Sequence, residues 1–149
     1  MHGKCWNTNV LTDSSQSGSM LKVSTAVSQI REEYGEENVL LVDNGDLFQG
    51  TPVSQIQLLR YSSDEPTDLP AMALCLKEIG YDAFVLGNHE FNYDWDAMST
   101  VYRWLEDNKV PVLAANACYD GTDTEHAAGK NAFTPNITKT ITVNGHNNQ

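Results

Sequence analysis

Three short apolar runs, separated by segments with helical spacing, constrain the fold of this chain more than any other feature. The runs cover residues 39–42, 83–86 and 110–115 and are rich in aliphatic and β-branched side chains. Runs of this length and composition are typical of strands that are covered on both faces, as in a parallel sheet. The sequence therefore predicts three buried strands.

The segments around these strands carry apolar residues three and four positions apart. One predicted helix has a start signal at residues 17–19 and ends at Gly35, and another begins near Thr51 and Pro52. The remaining helical stripes are Leu69, Met72, Leu76 and Ile79, and then Trp95, Met98, Val101, Tyr102 and Leu105. Alternation of strand and helix favours parallel pairing through right-handed crossovers. We therefore expect an α/β fold with a mainly parallel sheet and flanking helices.

Length and charge narrow the classes of function. The chain has 149 residues, which suits one domain, and a net charge of −11. This charge disfavours binding to a polynucleotide, because contacts with phosphates require clustered Lys and Arg. A small anionic substrate remains compatible with this net charge if metal ions supply local positive charge at the site. We expect no membrane span, since no run of about eighteen apolar residues occurs, and the first residues do not form a signal peptide.

Polar clusters directly follow each of the three predicted strands. Residues 43–46 read Asp-Asn-Gly-Asp, Asn88 and His89 follow the second strand, and Asn116 follows the third. The carboxyl ends of parallel strands form the ligand crevice of an open α/β sheet. These three loops are therefore expected to converge on one site.

The side chains of these clusters suit a pair of transition-metal ions. Asp46 offers a carboxylate that can bridge two cations, Asn88 offers an amide oxygen, and His2 and His89 offer imidazoles, a mixture that suits Mn, Zn or Fe. Two adjacent cations can activate water and hold the oxygens of a phosphoryl group, which predicts hydrolysis. Each cluster also has an ordinary explanation, since Asp-Asn-Gly-Asp and Asn116 suit turns and an Asn-His pair can cap a loop.

Two blocks of residues carry a resemblance to a known family. Residues 45–50, Gly-Asp-Leu-Phe-Gln-Gly, match a GDxxxG block, and residues 87–90, Gly-Asn-His-Glu, match a GNH[DE] block. In this order and separation the blocks resemble those of the calcineurin-like metallophosphoesterases. The longer stretches 40–52 and 87–93 are similar to the branch that contains 5'-nucleotidases and 2',3'-cyclic-nucleotide phosphodiesterases.

The resemblance implies a role for each site residue. His2 is expected to bind one metal, Asp46 to bridge two divalent metals, and Asn88 to bind the second metal and contact substrate. His89 is expected to be the catalytic imidazole. Asn92 occupies the place where related monoesterases often have Asp, and its amide oxygen is expected to accept a hydrogen bond from the ring.

Two further expectations concern the substrate. Because family members with Asn at the position of Asn92 resemble the cyclic phosphodiesterases, a cyclic diester is favoured over a 5'-monophosphate. Asn116 is expected to approach the substrate from the third strand, although an ordinary turn explains it equally well.

The same resemblance implies that residues 1–149 are part of a larger catalytic domain, namely half of an αββα sandwich that lacks its first strand and its C-terminal half. The family's first block, Asp-x-His-Gly, is represented only by Met1, His2 and Gly3, so a frayed terminus is the alternative reading of His2. The later histidines, His126 and His146, do not lie in the family's GHxH-like context.

We therefore expect the parent protein to hydrolyse nucleotide phosphoesters and the isolated chain to bind metal weakly and turn over poorly. The alternative is a noncatalytic binding or scaffold module that keeps the fold.

By family analogy the protein is expected to be exported to the periplasm, cell wall or exterior. Uncovered apolar faces of half a domain predict self-association. Cys5, Cys75 and Cys118 have no paired spacing and are interpreted as structural or free thiols.

Overall fold

A computed structural model describes residues 1–61, 69–122, 124–143 and 146–148. Its strands are β1 (Thr8–Asn9), β2 (Ser14–Ser15), β3 (Val42–Asp43), β4 (Ala83–Val85), β5 (Val112–Leu113), β6 (Ile141–Val143) and β7 (His146–Asn148). Its α-helices are α1 (Met20–Tyr34), α2 (Pro52–Tyr61), α3 (Ala71–Ile79) and α4 (Trp95–Asp107). Short 3₁₀ helices cover Glu36–Asn38 and Asn88–Phe91.

The three predicted strands form one parallel sheet in the order β3-β4-β5. Val42 pairs with Ala83, and Phe84 pairs with Val112. The chain passes through helices between successive strands, so the predicted α/β class is confirmed. The sequence did not predict the two antiparallel hairpins, β1-β2 and β6-β7, because strands of two or three residues leave too short a pattern to detect.

The helices begin and end close to the sequence signals. The Ser19 side chain accepts a hydrogen bond from the Lys22 N–H and caps α1, which ends at Gly35. Pro52 is the first residue of α2, as expected for a residue that lacks an N–H. The third stripe starts later than predicted, because Pro70 stands at the N-cap and leaves Leu69 outside α3.

The core lies between the helices and one face of the sheet. Phe84 of β4 is fully buried, and its ring centroid lies 5.8 Å from that of Phe48 and 6.4 Å from that of Tyr102. The Arg31 guanidinium of α1 donates hydrogen bonds to the carbonyl oxygens of Ile79 (2.5 Å) and Gly80 (2.7 Å). Arg31 therefore caps α3 and joins it to α1.

The prediction that the first strand is covered on both faces is wrong. Leu40 is 53% exposed and Val42 is 45% exposed, whereas Leu41 packs against the core. Leu40 and Val42 line an open cavity of about 360 Å³ on the other face of the sheet. Leu113 and Ile137 line the same cavity. An apolar run does not distinguish one covered face from two.

Among the described residues, none of the helices has the length and apolar character needed to cross a bilayer.

Candidate active site

The loops after β3 and β4 meet at the carboxyl edge of the sheet, as the sequence predicted. A Cβ atom added to Gly45 would lie 2.2 Å from the Gly87 nitrogen, so only glycine allows this approach. Gly45 and Asp46 have positive φ angles of 85° and 54°. Such a conformation is uncommon for a residue other than glycine and is often found at functional sites.

Asp46 lies beside His89 and His2. The Asp46 Oδ1 accepts a hydrogen bond from the backbone N–H of His89 at 3.1 Å. The backbone N–H of His2 donates to the Asp46 carbonyl oxygen at 3.0 Å, and the N–H of Gly3 donates to that of Leu47 at 2.7 Å. The imidazole rings of His2 and His89 are in edge contact, with centroids 5.6 Å apart. The structure therefore brings the residues of all three motif blocks together.

A buried carboxylate, Glu90, holds the two motif loops in place. Only 2% of Glu90 is exposed. Its Oε2 accepts hydrogen bonds from the N–H groups of Asp46 (2.6 Å) and Gly87 (2.9 Å). Its Oε1 accepts from Leu47 (2.7 Å) and Phe48 (3.3 Å). Successive N–H groups of this kind form a concave anion-binding nest, which the carboxylate fills.

Glu90 belongs to the GNH[DE] block, but the block alone does not predict its role. An available signal was an acidic side chain three residues after a loop glycine, which is the spacing of a capping box. Tyr102 of α4 adds a further contact, since its hydroxyl donates to the Glu90 carbonyl oxygen at 3.0 Å. Burial, and then the charge of Glu90, raise the pKa of Tyr102.

Asn92 and Gln49 orient the ring of His89. The Asn92 amide nitrogen lies 2.9 Å from the His89 Nδ1 and donates a hydrogen bond to the Gln49 Oε1 at 2.8 Å. The sequence predicted that the amide oxygen would face the ring, whereas the structure places the nitrogen there because Gln49 accepts its other hydrogen. An amide N–H that donates to Nδ1 leaves the ring proton on Nε2. The role of Gln49 is not visible in the sequence, because its partner Asn92 lies 43 positions away.

Asn88 and Asn116 both line a cavity of about 880 Å³ next to these loops. Asn88 begins the 3₁₀ helix, and Asn116 follows β5. Aromatic side chains of Phe91, Trp95 and Tyr119 line the same cavity. The third loop therefore shares a cavity with Asn88, as expected from the position of Asn116 at the end of its strand.

The two later histidines stand in other segments of the chain. The His126 ring stacks on Tyr119, with centroids 3.9 Å apart, and His146 begins β7. Asp43, three residues before Asp46, is half-buried, and this burial raises the pKa of its carboxyl group, with a smaller contribution from Glu90. A hydrogen bond from the Gly45 N–H partly offsets that increase.

Comparison with known proteins identifies the family. The family model described as calcineurin-like phosphoesterase matches residues 2–148. The chain belongs to the calcineurin-like phosphoesterases. A crystal structure of the calcineurin-like phosphoesterase YfkN from Bacillus subtilis superimposes with a TM-score of 0.76 at 27% identity, covering 99% of this chain and 42% of that one.

Curated relatives agree with this assignment. A 2',3'-cyclic-nucleotide 2'-phosphodiesterase/3'-nucleotidase of Haemophilus influenzae is 34% identical over 113 residues, which cover 75% of this chain and 16% of the relative. A 5'-nucleotidase of Rattus norvegicus is 37% identical over 113 residues, which cover 76% of this chain and 16% of the relative. The matches therefore span about a sixth of the length of these two relatives.

Proposed function

We propose that the protein hydrolyses phosphoesters of nucleotides with two divalent metal ions, and that this chain is the N-terminal part of its catalytic domain. One observation carries the proposal: Asp46, His89 and His2 meet at the carboxyl edge of the sheet, beside the cavity that Asn88 lines. The family and the names of its relatives support the reaction class.

The donor set fits one part of a metal centre. Asp46 would bridge the two ions, His2 would bind one of them and Asn88 the other, through carboxylate, imidazole and amide oxygen. The described residues contain no group of three or more His, Cys, Asp and Glu side chains placed to bind a metal. We therefore propose that other ligands complete the centre and that the chain alone binds Mn, Zn or Fe weakly. When bound, such ions polarise water and phosphoryl oxygens.

His89 is proposed as the catalytic imidazole. With Asn92 at Nδ1, the proton on Nε2 can stabilise charge on a phosphoryl oxygen or pass to the leaving alkoxide. Asn92 adds no negative charge beside the ring, in contrast to an Asp at this position. This difference supports a 2',3'-cyclic nucleotide as the preferred substrate over a 5'-monophosphate, with Asn88 and Asn116 contacting the substrate from opposite loops.

Metal binding by Asp46 is testable with a matched control. Asp13 and Asp46 share left-handed backbone angles, with φ of 50° and 54°, so substitution by Asn is equally compatible with both backbones. Mn²⁺ at ten times its dissociation constant stabilises a protein by about 1.4 kcal/mol, which is a shift of a few degrees in Tm. We expect this shift in the wild type and in Asp13→Asn, and its loss in Asp46→Asn. Equal shifts in both variants would reject Asp46 as a ligand.

Turnover is tested separately with 2',3'-cyclic AMP and AMP. We expect slow hydrolysis by the 149-residue chain, and Mn-dependent hydrolysis with preference for the cyclic diester by a longer protein that contains it. Robust hydrolysis by the 149-residue chain would contradict the proposed incompleteness. The alternative, a noncatalytic scaffold, predicts neither Mn-dependent stabilisation nor hydrolysis in the longer protein.

Two coarser proposals accompany this function. Leu40 and Val42 leave an apolar face of the sheet open, which supports self-association of the chain, and light scattering that shows a monomer at high concentration would contradict it. Export to the periplasm, cell wall or exterior is proposed by analogy with the family, and fractionation of expressing cells would test it.

A further inference from the structure

Two cysteines that are far apart in the sequence lie side by side in the fold. The Sγ atoms of Cys5 and Cys75 are 3.4 Å apart, although 70 positions separate the residues. Cys5 is 6% exposed, and Cys75 lies half-buried on α3. Cys118, the third cysteine, is exposed and lies in the loop after β5. The pairing is invisible in the sequence because neither cysteine lies in a motif with short spacing.

The Cys5 segment also carries His2. Beyond the backbone hydrogen bonds from His2 and Gly3 to the Asp46 loop, this segment contacts α1, since the Met20 N–H donates to the Lys4 carbonyl oxygen at 2.9 Å and the Leu21 N–H donates to the Cys5 carbonyl oxygen at 3.2 Å. A covalent bond from Cys5 to α3 would add an attachment that does not depend on hydrogen bonds. It would lie three residues from His2.

We propose that Cys5 and Cys75 form a disulfide in an oxidising compartment and that this bond fixes the segment carrying His2 to α3. The oxidant is a small or protein disulfide. One cysteine thiolate attacks this disulfide and releases one thiol; the second cysteine then attacks the mixed disulfide and releases the other. Two cysteine thiols are oxidised by two electrons, their two protons appear on the released thiols, and one external disulfide is reduced.

The local chemistry suits this exchange. A hydrogen bond from Cys75 lowers the pKa of the Cys5 thiol, which favours a thiolate at Cys5. The hydrogen bond to Cys5, and then burial, raise the pKa of Cys75. Cys5 also lines a small cavity of about 150 Å³ with Gly3 and Thr51, next to the segment that it would fix. The proposal does not depend on the proposed function, because it concerns a cross-link and not a reaction of substrate.

Peptide mapping after oxidation tests the bond directly. The full chain is incubated with oxidised glutathione, denatured, alkylated without reduction, and digested with trypsin. We expect the peptide of residues 5–22 linked to that of residues 61–77, with Cys118 in the separate peptide of residues 110–130, either alkylated or carrying glutathione. Three alkylated cysteines, glutathione retained on Cys5 or Cys75, or a link to Cys118 would overturn the proposal.

Stability provides an independent readout. A disulfide that closes a loop of about 70 residues is expected to raise Tm by roughly 10 °C over the reduced chain. We expect this difference between oxidised and reduced forms in the wild type and in Cys118→Ser, and its loss in Cys75→Ser. Cys75 is preferred to Cys5 for substitution because it is less buried. An equal effect of oxidation on Cys75→Ser would contradict the cross-link.

Discussion

The loops that follow β3 and β4 are held differently from the loop that follows β5. The first two are joined by the buried Glu90 carboxylate and by the contact of Gly45 with Gly87. The third, in its described residues 117–122 and 124–132, is largely exposed. Its contacts include a backbone hydrogen bond from the Ala132 N–H to the Ala117 carbonyl oxygen at 2.8 Å and one from the Asn131 amide to the Ala115 carbonyl oxygen at 3.0 Å. The loops after β3 and β4 are therefore expected to tolerate substitution less well than the third loop.

The largest expected difference between the two regions concerns glycine. Gly45 and Gly129 have similar φ angles, 85° and 80°, but a Cβ at Gly45 meets the Gly87 backbone and a Cβ at Gly129 meets nothing within 4 Å. We expect Gly129→Ala to cost about 1 kcal/mol from backbone strain alone. Gly45→Ala should cost about 3 kcal/mol or more, because backbone atoms must move as well. Urea denaturation measures both, and equal costs would contradict the close approach of the loops.

The second expected effect concerns the charge that joins the loops. Glu90→Gln replaces one acceptor oxygen by an NH₂ group that faces N–H donors, so buried donors lose their partner. We expect a loss of about 3 kcal/mol in the free energy of unfolding and weaker Mn²⁺ binding, because the Asp46 loop loosens. Glu78→Gln, at an exposed site paired with Lys77, should change stability by less than about 0.5 kcal/mol. The same loss of stability in both variants would contradict the role of Glu90 in joining the two loops.

Much of the fold could be predicted because its signals are local. Ser19 and Gly35 delimit α1, and Pro52 begins α2, each through the chemistry of its own side chain or backbone. The parallel pairing of the strands followed from the alternation of strand and helix. The sequence could not show whether the second face of β3 is buried or exposed. The exposure of Leu40 and Val42 depends on what packs against the sheet, which no local pattern reports.

The site could likewise be predicted only where its signals are local. Motif spacing located the loops of Asp46 and His89, but the partners of a side chain depend on tertiary geometry. Three of the four N–H groups around Glu90 belong to residues 46–48 and the fourth to Gly87, so they come from two loops that are far apart in the sequence. The pairing of Asn92 with Gln49 joins the same two loops across 43 positions. The contact between Cys5 and Cys75 has the same origin.

A smaller effect concerns the tautomer of His89. In the wild type, nitrogen-15 correlation spectra of the neutral imidazole should show the proton on Nε2, because the Asn92 amide donates to Nδ1. Asn92→Asp should move the proton to Nδ1, because a carboxylate only accepts. The ring of His126, stacked on Tyr119, is an internal control and should not change. An Nδ1–H tautomer in the wild type would contradict the hydrogen-bond arrangement around the ring.

The last expected effect appears only at alkaline pH and compares a buried tyrosine of the core with an exposed one. Burial, and then the charges of Asp43 and Cys75, raise the pKa of Tyr81 to about 12, from about 10 in an unfolded chain. The neutral phenol therefore contributes stability that is complete below about pH 10 and is lost as the pH rises through 12.

Tyr81→Phe removes this titration, so the variant should lose less stability than the wild type between about pH 10 and 12. Tyr34→Phe, which removes a phenol that is 60% exposed, is the matched control. Urea denaturation at about pH 9, 10, 11 and 12 measures the difference in alkaline loss of stability between the variants and the wild type. A slope of stability against pH that Tyr81→Phe leaves unchanged would show that the Tyr81 phenol titrates alike in the folded and unfolded chain.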